Sequence, residues 1–468
     1  MKILSIIGIL SVALSLNSFA KTSSKPNVLL LCIDDLRPEL GCYGREYMHT
    51  PNIDQLASQG RLFSRHYVTA PTCGVSRFSL LTGRYPRTPS DLSNGVIYER
   101  TKKKNLPLTI PQVFKNNGYS TIAIGKVSHY PGGLTGKGWN DPKKVEIPDA
   151  WSQNLMPSGP WKNPQRAMHG VANGAPRVNR KTPAIEIKEG DDTLYPDGFI
   201  TNSAVDKLDA LSKEHEPWFL AVGLIKPHLP FTAPQKYWDL YEGKKLPAVQ
   251  NPEKPKRDLT WNKSWEFFNQ YNHDGKDPRK DSEYAALVRR HYYASASYAD
   301  AQIGKILTAL KKSGQDSNTI IILWGDHGWN LGERSIWGKH NLYEESLHSP
   351  LIIRTPNIKQ PGVATASIAE TTDIFPTLCA LSGIRPPEGL DGTSLAPQVN
   401  DPQAPTDGLA ISFWNKAQSL RTDKNRLTRV IEEEKASYNL FLFPETNAPN
   451  AEQVSKVQKE LSGRFFQP

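Results

Sequence analysis

The run Asn27-Val28-Leu29-Leu30-Leu31-Cys32-Ile33, followed directly by Asp34-Asp35, decides the fold of this 468-residue chain. A continuous apolar run without polar alternation is typical of a strand that is buried on both faces, as in a parallel sheet. Ligands of open α/β sheets gather at the carboxyl ends of the strands. The two carboxylates therefore mark a candidate metal site at the edge of such a sheet.

The same arrangement of an apolar strand and polar residues at its end recurs along the chain. Three predicted strands lead into polar segments: residues 120–124 into Gly125-Lys126-Val127-Ser128-His129, residues 218–224 into Ile225-Lys226-Pro227-His228, and residues 319–324 into Gly325-Asp326-His327-Gly328. Further strands are predicted at 61–68 and 351–354, and helices at 50–57, 73–81, 109–117, 197–213, 283–312 and 373–381. This alternation predicts an α/β fold, a mostly parallel sheet with helices on both faces.

The N-terminus has the features of a secretory signal peptide over residues 1–20. Lys2 precedes a mostly apolar stretch at 3–16, and Ser18-Phe19-Ala20 has the small-x-small form of a cleavage site. The apolar stretch is too short to span a membrane, and no later stretch is apolar enough to do so. We therefore expect a bacterial protein that is exported, periplasmic or secreted, with no membrane span.

The remainder is predicted to form a catalytic domain at 21–383 and a smaller α+β subdomain at 384–468, where short mixed strands follow a proline-rich break. Two polar insertions, at about 132–196 and 234–281, interrupt the larger domain and are expected to shape the substrate site. Aromatic and cationic residues in these insertions are candidates for contacts with substrate: Trp139, Trp151, Trp161, Arg166, His169, Arg177, Arg180, Trp261 and Trp265.

The composition indicates a soluble globular protein with an anionic partner. The chain is 38% apolar and 22% charged, which is ordinary for such proteins. The formal net charge of +10 favours nucleic acid, anionic lipid or a sulfated polymer. No zinc finger, RNP motif or basic helix occurs, and export argues against nucleic acid. We therefore expect no nucleic-acid partner.

Four cysteines would permit up to two disulfides in an exported protein. Cys32 and Cys379 lie in apolar segments, which favours buried free thiols. Pairing of Cys32 with Cys42 stays an alternative.

The polar residues at the strand ends form an acidic and a basic set. Asp34-Asp35 and Asp326-His327 supply oxygen-rich ligands with one nitrogen, which suit a hard cation such as Ca²⁺. The basic set would form a pocket for an anion. It comprises Arg77, Lys126, His129, His228 and Lys339.

Cys73 stands at the predicted start of a helix in Pro71-Thr72-Cys73-Gly74-Val75-Ser76-Arg77, which continues to the stop signal Thr82-Gly83-Arg84. A helix N-terminus offers unpaired N–H groups to an anion. This C-x-x-x-R segment resembles the modification signature of type I sulfatases. The commonest form of that signature has Pro or Ala two residues after the Cys, where this chain has Val75.

Other motifs extend the resemblance, in family order, over roughly residues 27 to 396. They are I-D-D-L-R-P-E-L-G-C-Y-G, T-P-N-I-D-Q-L-A, G-K-V-S-H, K-P-H-L-P-F, Y-Y-A-S-A-S-Y-A-D, G-D-H-G-W-x-L-G-E, W-x-K-H and T-D-I-F-P-T-L, with S-L-R-T-D-K-N-R-L in the C-terminal part. The chain is thus similar to type I sulfatases of the alkaline phosphatase superfamily, and most similar to their iduronate-2-sulfatase branch. The resemblance implies an alkaline phosphatase-like fold.

The resemblance also implies the cofactors and the roles of the site residues. Cys73 would be oxidised to formylglycine by a formylglycine-generating or an anaerobic sulfatase-maturating enzyme, and Arg77 would orient it. One Ca²⁺ would be held by Asp34, Asp35, Asp326, His327 and the modified Cys73. The sulfate would be gripped by Lys126, His129, His228 and Lys339, with Lys226 and His340 in the same pocket. His228 or Lys339 would be the general acid, and His129 the base that releases sulfate.

These implications favour a carbohydrate sulfatase that hydrolyses O-sulfate esters of a sulfated polysaccharide or oligosaccharide. The candidates are algal galactan or carrageenan, ulvan and glycosaminoglycan, with 2-O-sulfated uronate among them. One alternative is a phosphonate monoester or phosphodiester hydrolase of the same superfamily. A non-catalytic glycan-binding homologue, motivated by Val75, is the other.

Overall fold

The computed structural model describes residues 25–255, 259–432, 435–443 and 449–466. The predicted signal peptide lies outside these residues. The strands are β1 (Asn27–Ile33), β2 (Arg61–Tyr67), β3 (Ser120–Gly125), β4 (Gln153–Leu155), β5 (Ile185–Lys188), β6 (Trp218–Leu224), β7 (Phe231–Pro234), β8 (Thr319–Gly325), β9 (Asn330–Leu331), β10 (Trp337–Gly338), β11 (Leu351–Arg354), β12 (Thr365–Glu370), β13 (Ala410–Trp414), β14 (Ala417–Arg421), β15 (Asn425–Glu432) and β16 (Lys435–Leu442).

The helices agree with the predicted segments to within about two residues wherever one was predicted. They are α1 (Pro51–Gln59), α2 (Cys73–Thr82), α3 (Val96–Lys102), α4 (Ile110–Asn116), α5 (Pro164–Met168), α6 (Pro196–Leu211), α7 (Gln235–Trp238), α8 (Trp265–Gln270), α9 (Ser282–Lys312), α10 (Glu344–Leu347), α11 (Ile374–Leu381), α12 (Ala396–Asn400) and α13 (Ala451–Leu461).

The main sheet has eight strands in the order β12-β2-β11-β8-β1-β6-β3-β4. Of these strands only β11 runs antiparallel to its neighbours, β2 and β8. The prediction of a mostly parallel sheet is therefore confirmed. Since β8, β1, β6 and β3 are successive parallel neighbours, the polar segments that follow these four strands meet at one edge of the sheet.

The apolar run in β1 is explained by two separate hydrophobic cores. Leu29 and Leu31 face a core that includes side chains of α1, α6 and α9, whereas Val28 and Leu30 face a second core with α2, α4 and α11. Each of these side chains is fully buried, which stabilises the fold by roughly 1.5–3 kcal/mol per residue. Helices therefore cover both faces of the sheet, as predicted.

The two insertions are joined to each other and to the sheet. The first contributes β4, which pairs with β3 as the edge strand of the main sheet. Its later part meets the second insertion, where the N–H of Arg180 donates to the carbonyl of Gln270 (3.1 Å) and the N–H of Asn272 donates to that of Thr182 (2.8 Å). The insertions thus form one continuous wall beside the carboxyl ends of the strands.

The C-terminal part contains a four-stranded antiparallel sheet, β13-β14-β15-β16, with α13 packed against it. This agrees with the predicted smaller α+β subdomain. Cys32, Cys42, Cys73 and Cys379 are all free, so the alternative Cys32–Cys42 disulfide is not formed. Among the described residues no helix is long and apolar enough to cross a membrane.

Glu344, at the start of α10, ties the C-terminal sheet to the larger unit. Its carboxylate accepts hydrogen bonds from Arg426 Nη2 (2.6 Å), Arg421 Nε (3.2 Å) and the hydroxyl of Tyr67 (2.7 Å). Burial alone would raise the pKa of Glu344, but the charges of Arg426 and Arg421 outweigh it and lower the pKa to about 2.

We predict that Glu344→Gln lowers the free energy of unfolding by about 2–4 kcal/mol at pH 7, because both arginines then lack a counter-charge. A lowered carboxyl pKa stabilises the folded state above the unfolded pKa of about 4.3 and ceases to do so as the pH falls towards the folded value. The deficit, measured by chemical denaturation, should therefore shrink between pH 5 and pH 2. Glu214→Gln, at an exposed position, is the control. An unchanged deficit at low pH would contradict the ion-pair account.

Candidate active site

Four potential ligand atoms meet at the carboxyl ends of the central strands. Asp34 and Asp35 follow β1, His327 follows β8, and Cys73 begins α2; one ligand atom from each lies within 4.8 Å of all the others. Asp326 lies beside this group, and its carboxylate accepts from the N–H of Asp35 (2.9 Å). The structure therefore brings all five predicted metal ligands together. The carboxylate of Asp326 also accepts hydrogen bonds from Asp35 and Arg77.

This group fits a divalent cation. Oδ2 of Asp35 is buried and has no hydrogen-bond partner among the described residues. Burial raises the pKa of the Asp35 carboxyl well above its usual value, despite the nearby charge of Lys339. A cation beside Asp34 and Asp35 would satisfy the unpaired oxygen and compensate the desolvated charges, and oxygen, nitrogen and sulfur donors are all suited to metal binding.

The Arg77 guanidinium holds the acidic residues together beneath the site. Its Nη2 donates to Asp34 Oδ1 (3.1 Å), its Nε donates to Asp326 Oδ2 (3.0 Å), and its Nη1 donates to the carbonyls of Lys126 and Val127. The Arg77 side chain and both carboxylates are 0% exposed. Burial alone would lower the pKa of Arg77, but Asp326 and Asp34 outweigh it, so the guanidinium stays charged.

Two lysines complete the charge balance. Lys126 Nζ forms an ion pair with Asp34 Oδ2. Lys339 Nζ lies 2.7 Å from Asp35 Oδ1 and 3.3 Å from Cys73 Sγ. Burial would lower the pKa of Lys339, but Asp35 and Cys73 outweigh it and raise the pKa well above its usual value. Lys339 is thus a fixed cation beside the Cys73 sulfur.

Cys73 is held at the N-terminus of α2 by a residue that sequence reasoning missed. Oδ1 of Asn94 accepts from the Gly74 N–H (2.9 Å) and from the Thr72 hydroxyl (3.1 Å). The Asn94 backbone lies so close to Gly74 that a Cβ there would meet it at 2.3 Å, which requires glycine at that position. Burial raises the pKa of the Cys73 thiol well above its usual value, so the unmodified cysteine is a poor nucleophile.

Three histidines face the space above Cys73. Nδ1 of His228 donates to the Leu229 carbonyl (2.8 Å), which leaves Nε2 directed at the site, 4.0 Å from Asp35 Oδ2. Within the described ranges of the chain, the buried Nδ1 of His129 has no hydrogen-bond partner. His340 stacks on Trp414 of the C-terminal sheet at 4.9 Å between ring centroids. Burial, followed by nearby lysines, lowers the pKa of all three histidines.

A cavity of about 310 Å³ opens above the Cys73 sulfur. Its lining combines the candidate nucleophile, cations and side chains from both insertions: Cys73, Asn94, His129, Trp139, Met168, His169, Arg177, His228, Trp265, Glu266, Gln270, Lys339 and His340. The arrangement can hold a tetrahedral anion against residue 73 while the rest of the bound molecule lies between the insertions.

Some predicted residues are close to the cavity without lining it. Lys226 Nζ donates to the carbonyls of His228 (2.9 Å) and Pro230 (2.7 Å), and it is 1% exposed. Lys126 and Arg77 lie beneath the cavity in the ion-pair network. These three cations position neighbouring groups.

The predicted contacts from the insertions divide in the same way. Trp139, His169, Arg177 and Trp265 line the cavity. Trp151 and Trp161 are buried, Trp261 Nε1 donates to the Arg334 carbonyl, and Arg166 and Arg180 are exposed away from the lining.

Asn94, Met168, Glu266 and Gln270 line the cavity and were not predicted from the sequence. Glu266 directly follows Trp265, which was predicted to contact substrate, so its place in the sequence could have indicated that it lines the site. No strand end or repeated pattern marks the other three.

Comparison with known proteins identifies the relatives of this chain. The family model described as Sulfatase matches residues 26–384, and one described as N-sulphoglucosamine sulphohydrolase, C-terminal, matches residues 332–440. Iduronate 2-sulfatase of Homo sapiens is 32% identical over 417 residues, covering 81% of this chain and 73% of the relative.

Solved structures show the same fold. A structure in complex with D-glucosamine-2-N,6-O-disulfate has a TM-score of 0.71 at 20% identity and covers 94% of this chain and 97% of its own. A phosphonate monoester hydrolase from Silicibacter pomeroyi also has a TM-score of 0.71, at 24% identity, with 94% and 95% coverage. At these identities the likeness concerns the fold.

We predict that Arg77→Lys lowers the free energy of unfolding by about 2–4 kcal/mol, because an ammonium group cannot reproduce the fork that reaches two carboxylates and two carbonyls. Arg166→Lys, at an exposed position, should change stability by less than about 0.5 kcal/mol. Chemical denaturation of both variants makes the comparison. Equal stability of Arg77→Lys and the parent would show that the fork is not required.

Proposed function

Since this chain belongs to the sulfatase family, as a type I sulfatase of the alkaline phosphatase superfamily and therefore a sulfuric ester hydrolase, we propose that it removes O-sulfate groups from a sulfated polysaccharide or oligosaccharide. Algal galactan or carrageenan, ulvan and glycosaminoglycan are the candidate polymers. A 2-O-sulfated uronate is included because iduronate 2-sulfatase is among the relatives.

One observation supports the proposal most directly. The cavity above Cys73 combines cationic side chains beside residue 73 with aromatic and polar side chains of the two insertions. Lys339 and four histidines line the cavity together with Cys73, which suits a sulfate group. Farther out, Trp139 and Trp265 offer aromatic faces beside polar side chains, which suits a carbohydrate better than a purely apolar alcohol.

The catalytic group and the metal are those of the family. Residue 73, once oxidised to formylglycine, would supply a hydrated aldehyde as the nucleophile. Asp34, Asp35, Asp326, His327 and residue 73 would hold a Ca²⁺, which would supply positive charge beside it. Arg77 keeps two of these carboxylates in register and orients residue 73.

The cations of the cavity bind the sulfate group. Lys339 Nζ, at 3.3 Å from the Cys73 sulfur, is placed to contact a sulfate oxygen. His129 and His340 line the same cavity and contribute N–H donors. Lys126 acts with them through Asp34, and Lys226 acts by holding the loop that carries His228. Charge that builds on the sulfate oxygens during reaction is stabilised by these fixed donors.

His228 is assigned as the general acid. Because its Nδ1 donates to the Leu229 carbonyl, Nε2 is the atom that faces the substrate. In the imidazolium form of His228, in which both ring nitrogens carry a proton, the Nε2 proton would pass to the ester oxygen of the departing sugar. Lys339 is the alternative donor, and His129 is the base that takes a proton from residue 73 when sulfate leaves.

The partners and location follow from the same chemistry. Oxidation of Cys73 requires a formylglycine-generating or an anaerobic sulfatase-maturating enzyme. The predicted signal peptide at 1–20 would export the protein to the periplasm or beyond, where sulfated polymers are met. In this proposal residues 21–383 form the catalytic domain and residues 384–468 a subdomain whose Trp414 supports His340.

Two alternatives remain distinct from this proposal. A phosphonate monoester or phosphodiester hydrolase would use the same fold and a similar anion site, as the related phosphonate monoester hydrolase structure illustrates. A glycan-binding homologue without activity would retain unmodified Cys73, because Val75 departs from the commonest form of the modification signature. Val75 is fully buried within α2 and is not among the residues that line the cavity.

We predict that co-expression with a formylglycine-generating enzyme lowers the mass of the peptide containing Cys73 by about 18 Da, the change from thiol to aldehyde that the family nucleophile requires. The converted protein should release inorganic sulfate from at least one sulfated oligosaccharide, as measured by ion chromatography. Cys73→Ala, purified from the same host, is the control and should lose at least about a thousandfold in rate.

Two results would contradict the proposal. Unmodified Cys73 in a competent host would favour the glycan-binding alternative. Faster hydrolysis of a phosphonate monoester than of every sulfate ester tested would favour the phosphonate hydrolase.

We predict that Ca²⁺ stabilises the folded protein, because a cation that binds only the folded state adds about 2.7 kcal/mol at a hundredfold excess over its Kd. Thermal unfolding in Ca²⁺ and in a chelator should give a higher Tm with the metal. Asp35→Asn should abolish the difference, and the exposed Asp206→Asn should preserve it. A Ca²⁺ effect of equal size in Asp35→Asn would place the cation elsewhere.

A further inference from the structure

The outer wall of the cavity contains a carboxylate that the anion site does not require. Glu266, the second residue of α8, has Oε1 at 3.5 Å from His228 Nε2 and Oε2 at 3.9 Å from Lys339 Nζ. Its side chain is 16% exposed, and within the described part of the chain it accepts no hydrogen bond of normal length. Glu266 lines the cavity, so its carboxylate has acceptor capacity left for a hydrogen bond from a bound molecule.

A carboxylate in this position weakens the binding of a bare anion. Two like charges a few ångströms apart in a site of intermediate dielectric repel each other. The cavity would hold inorganic sulfate more tightly without Glu266. A residue with this cost has to interact favourably with another part of the bound molecule.

The part of a bound molecule that would interact favourably with Glu266 is a hydrogen-bond donor. Carboxylate oxygens accept from hydroxyl groups, and such charge-assisted hydrogen bonds are strong. Because Glu266 lies beside the two groups assigned to the sulfate and to its ester oxygen, the donor must be close to the ester bond. A hydroxyl on the carbon next to the sulfated carbon satisfies this condition. A simple aryl or alkyl sulfate has no such group.

Trp265 supplies a second observation that points to a sugar. It precedes Glu266 at the start of α8, lines the cavity and is 64% exposed, whereas five other tryptophans are almost fully buried. An exposed aromatic face at a cavity mouth provides an apolar surface for the carbon-bound hydrogens of a pyranose ring. An aromatic face and a carboxylate acceptor on adjacent residues thus match the two kinds of surface that a sugar presents.

We propose that Glu266 is a specificity-determining residue that accepts a hydrogen bond from the hydroxyl group vicinal to the sulfate ester, while the sugar ring packs against Trp265. The inference rests on the proposed function and narrows its substrate to sulfated sugars with a free vicinal hydroxyl. In the same proposal, Glu266 weakens the binding of free sulfate, which helps the product to leave the site.

A purely structural role for Glu266 makes the opposite prediction for one ligand. If Glu266 only positioned Lys339 and His228, its removal would weaken the binding of sulfate and of sugar sulfates together. If it accepts from a sugar hydroxyl, its removal strengthens the binding of sulfate and weakens that of sugar sulfates. The direction of the change for inorganic sulfate therefore separates the two roles.

The test compares Glu266→Gln, Trp265→Ala and the control Glu242→Gln, an exposed position in the same insertion. Isothermal titration with inorganic sulfate uses the converted enzyme. Titration with sulfated disaccharides from ulvan and heparin, in which a free hydroxyl lies next to a sulfated ring carbon, uses the Cys73→Ala background, which prevents turnover. Glutamine keeps the size of the side chain and one acceptor but removes the charge.

We expect Glu266→Gln to bind sulfate roughly threefold to thirtyfold more tightly and the disaccharide preferred by the parent at least about tenfold more weakly. Trp265→Ala should weaken only the disaccharide, and Glu242→Gln should match the parent.

Several outcomes would overturn the inference. Parallel weakening of sulfate and disaccharide assigns Glu266 a positioning role, and unchanged affinities leave it no role in recognition. Binding of sulfate by the parent with no binding of any disaccharide also rejects the sugar contact. Failure of the converted parent to release sulfate from any sulfate ester tested is different, because it rejects the proposed sulfatase function itself.

Discussion

The site depends on one interaction, the fork that the buried Arg77 guanidinium forms between Asp34 and Asp326. Two carboxylates brought out of water would repel each other and cost several kcal/mol each. The guanidinium compensates both, and its remaining donors bind the backbone beyond β3. Three neighbouring segments are thereby fixed with respect to one another. The geometry of the candidate metal ligands and of residue 73 follows from this fixed base.

Support for this base comes from elements distant in the chain. The hydroxyl of Tyr292 on α9 donates to the Asp35 carbonyl (2.7 Å) and accepts from the Arg37 N–H (3.0 Å), which holds the turn after β1. Asn94 fixes the start of α2 from the opposite side. Above the base, contacts between the two insertions keep Arg177 and Glu266 facing the same cavity. In many enzymes the rigid scaffold holds the reactive groups, whereas loops around the site determine the specificity.

Sequence patterns predicted the charged residues at the strand ends much better than the cavity residues that come from loops and insertions. β6 and β11 have the predicted bounds, and Asp34, His228 and His327 follow strands whose apolar runs are unmistakable. The aromatic side chains of α9 are packed in the core, and one of them, Tyr292, also donates a hydrogen bond to the turn after β1. Asn94 and Glu266 were missed, because each acts through a contact with a residue far away in the chain and belongs to no local pattern.

The sequence by itself determined the α/β class, the order of strands and helices and the residues that stand at strand ends, because burial on both faces leaves a continuous apolar run and parallel strands place their carboxyl ends together. Only the tertiary structure decided which cations line the cavity. Lys339 faces it, whereas the Lys226 amine is turned to two backbone carbonyls and that of Lys126 to Asp34. The physical reason is that a buried ammonium group must be paired, and the nearest acceptor is set by packing between segments that are remote in sequence.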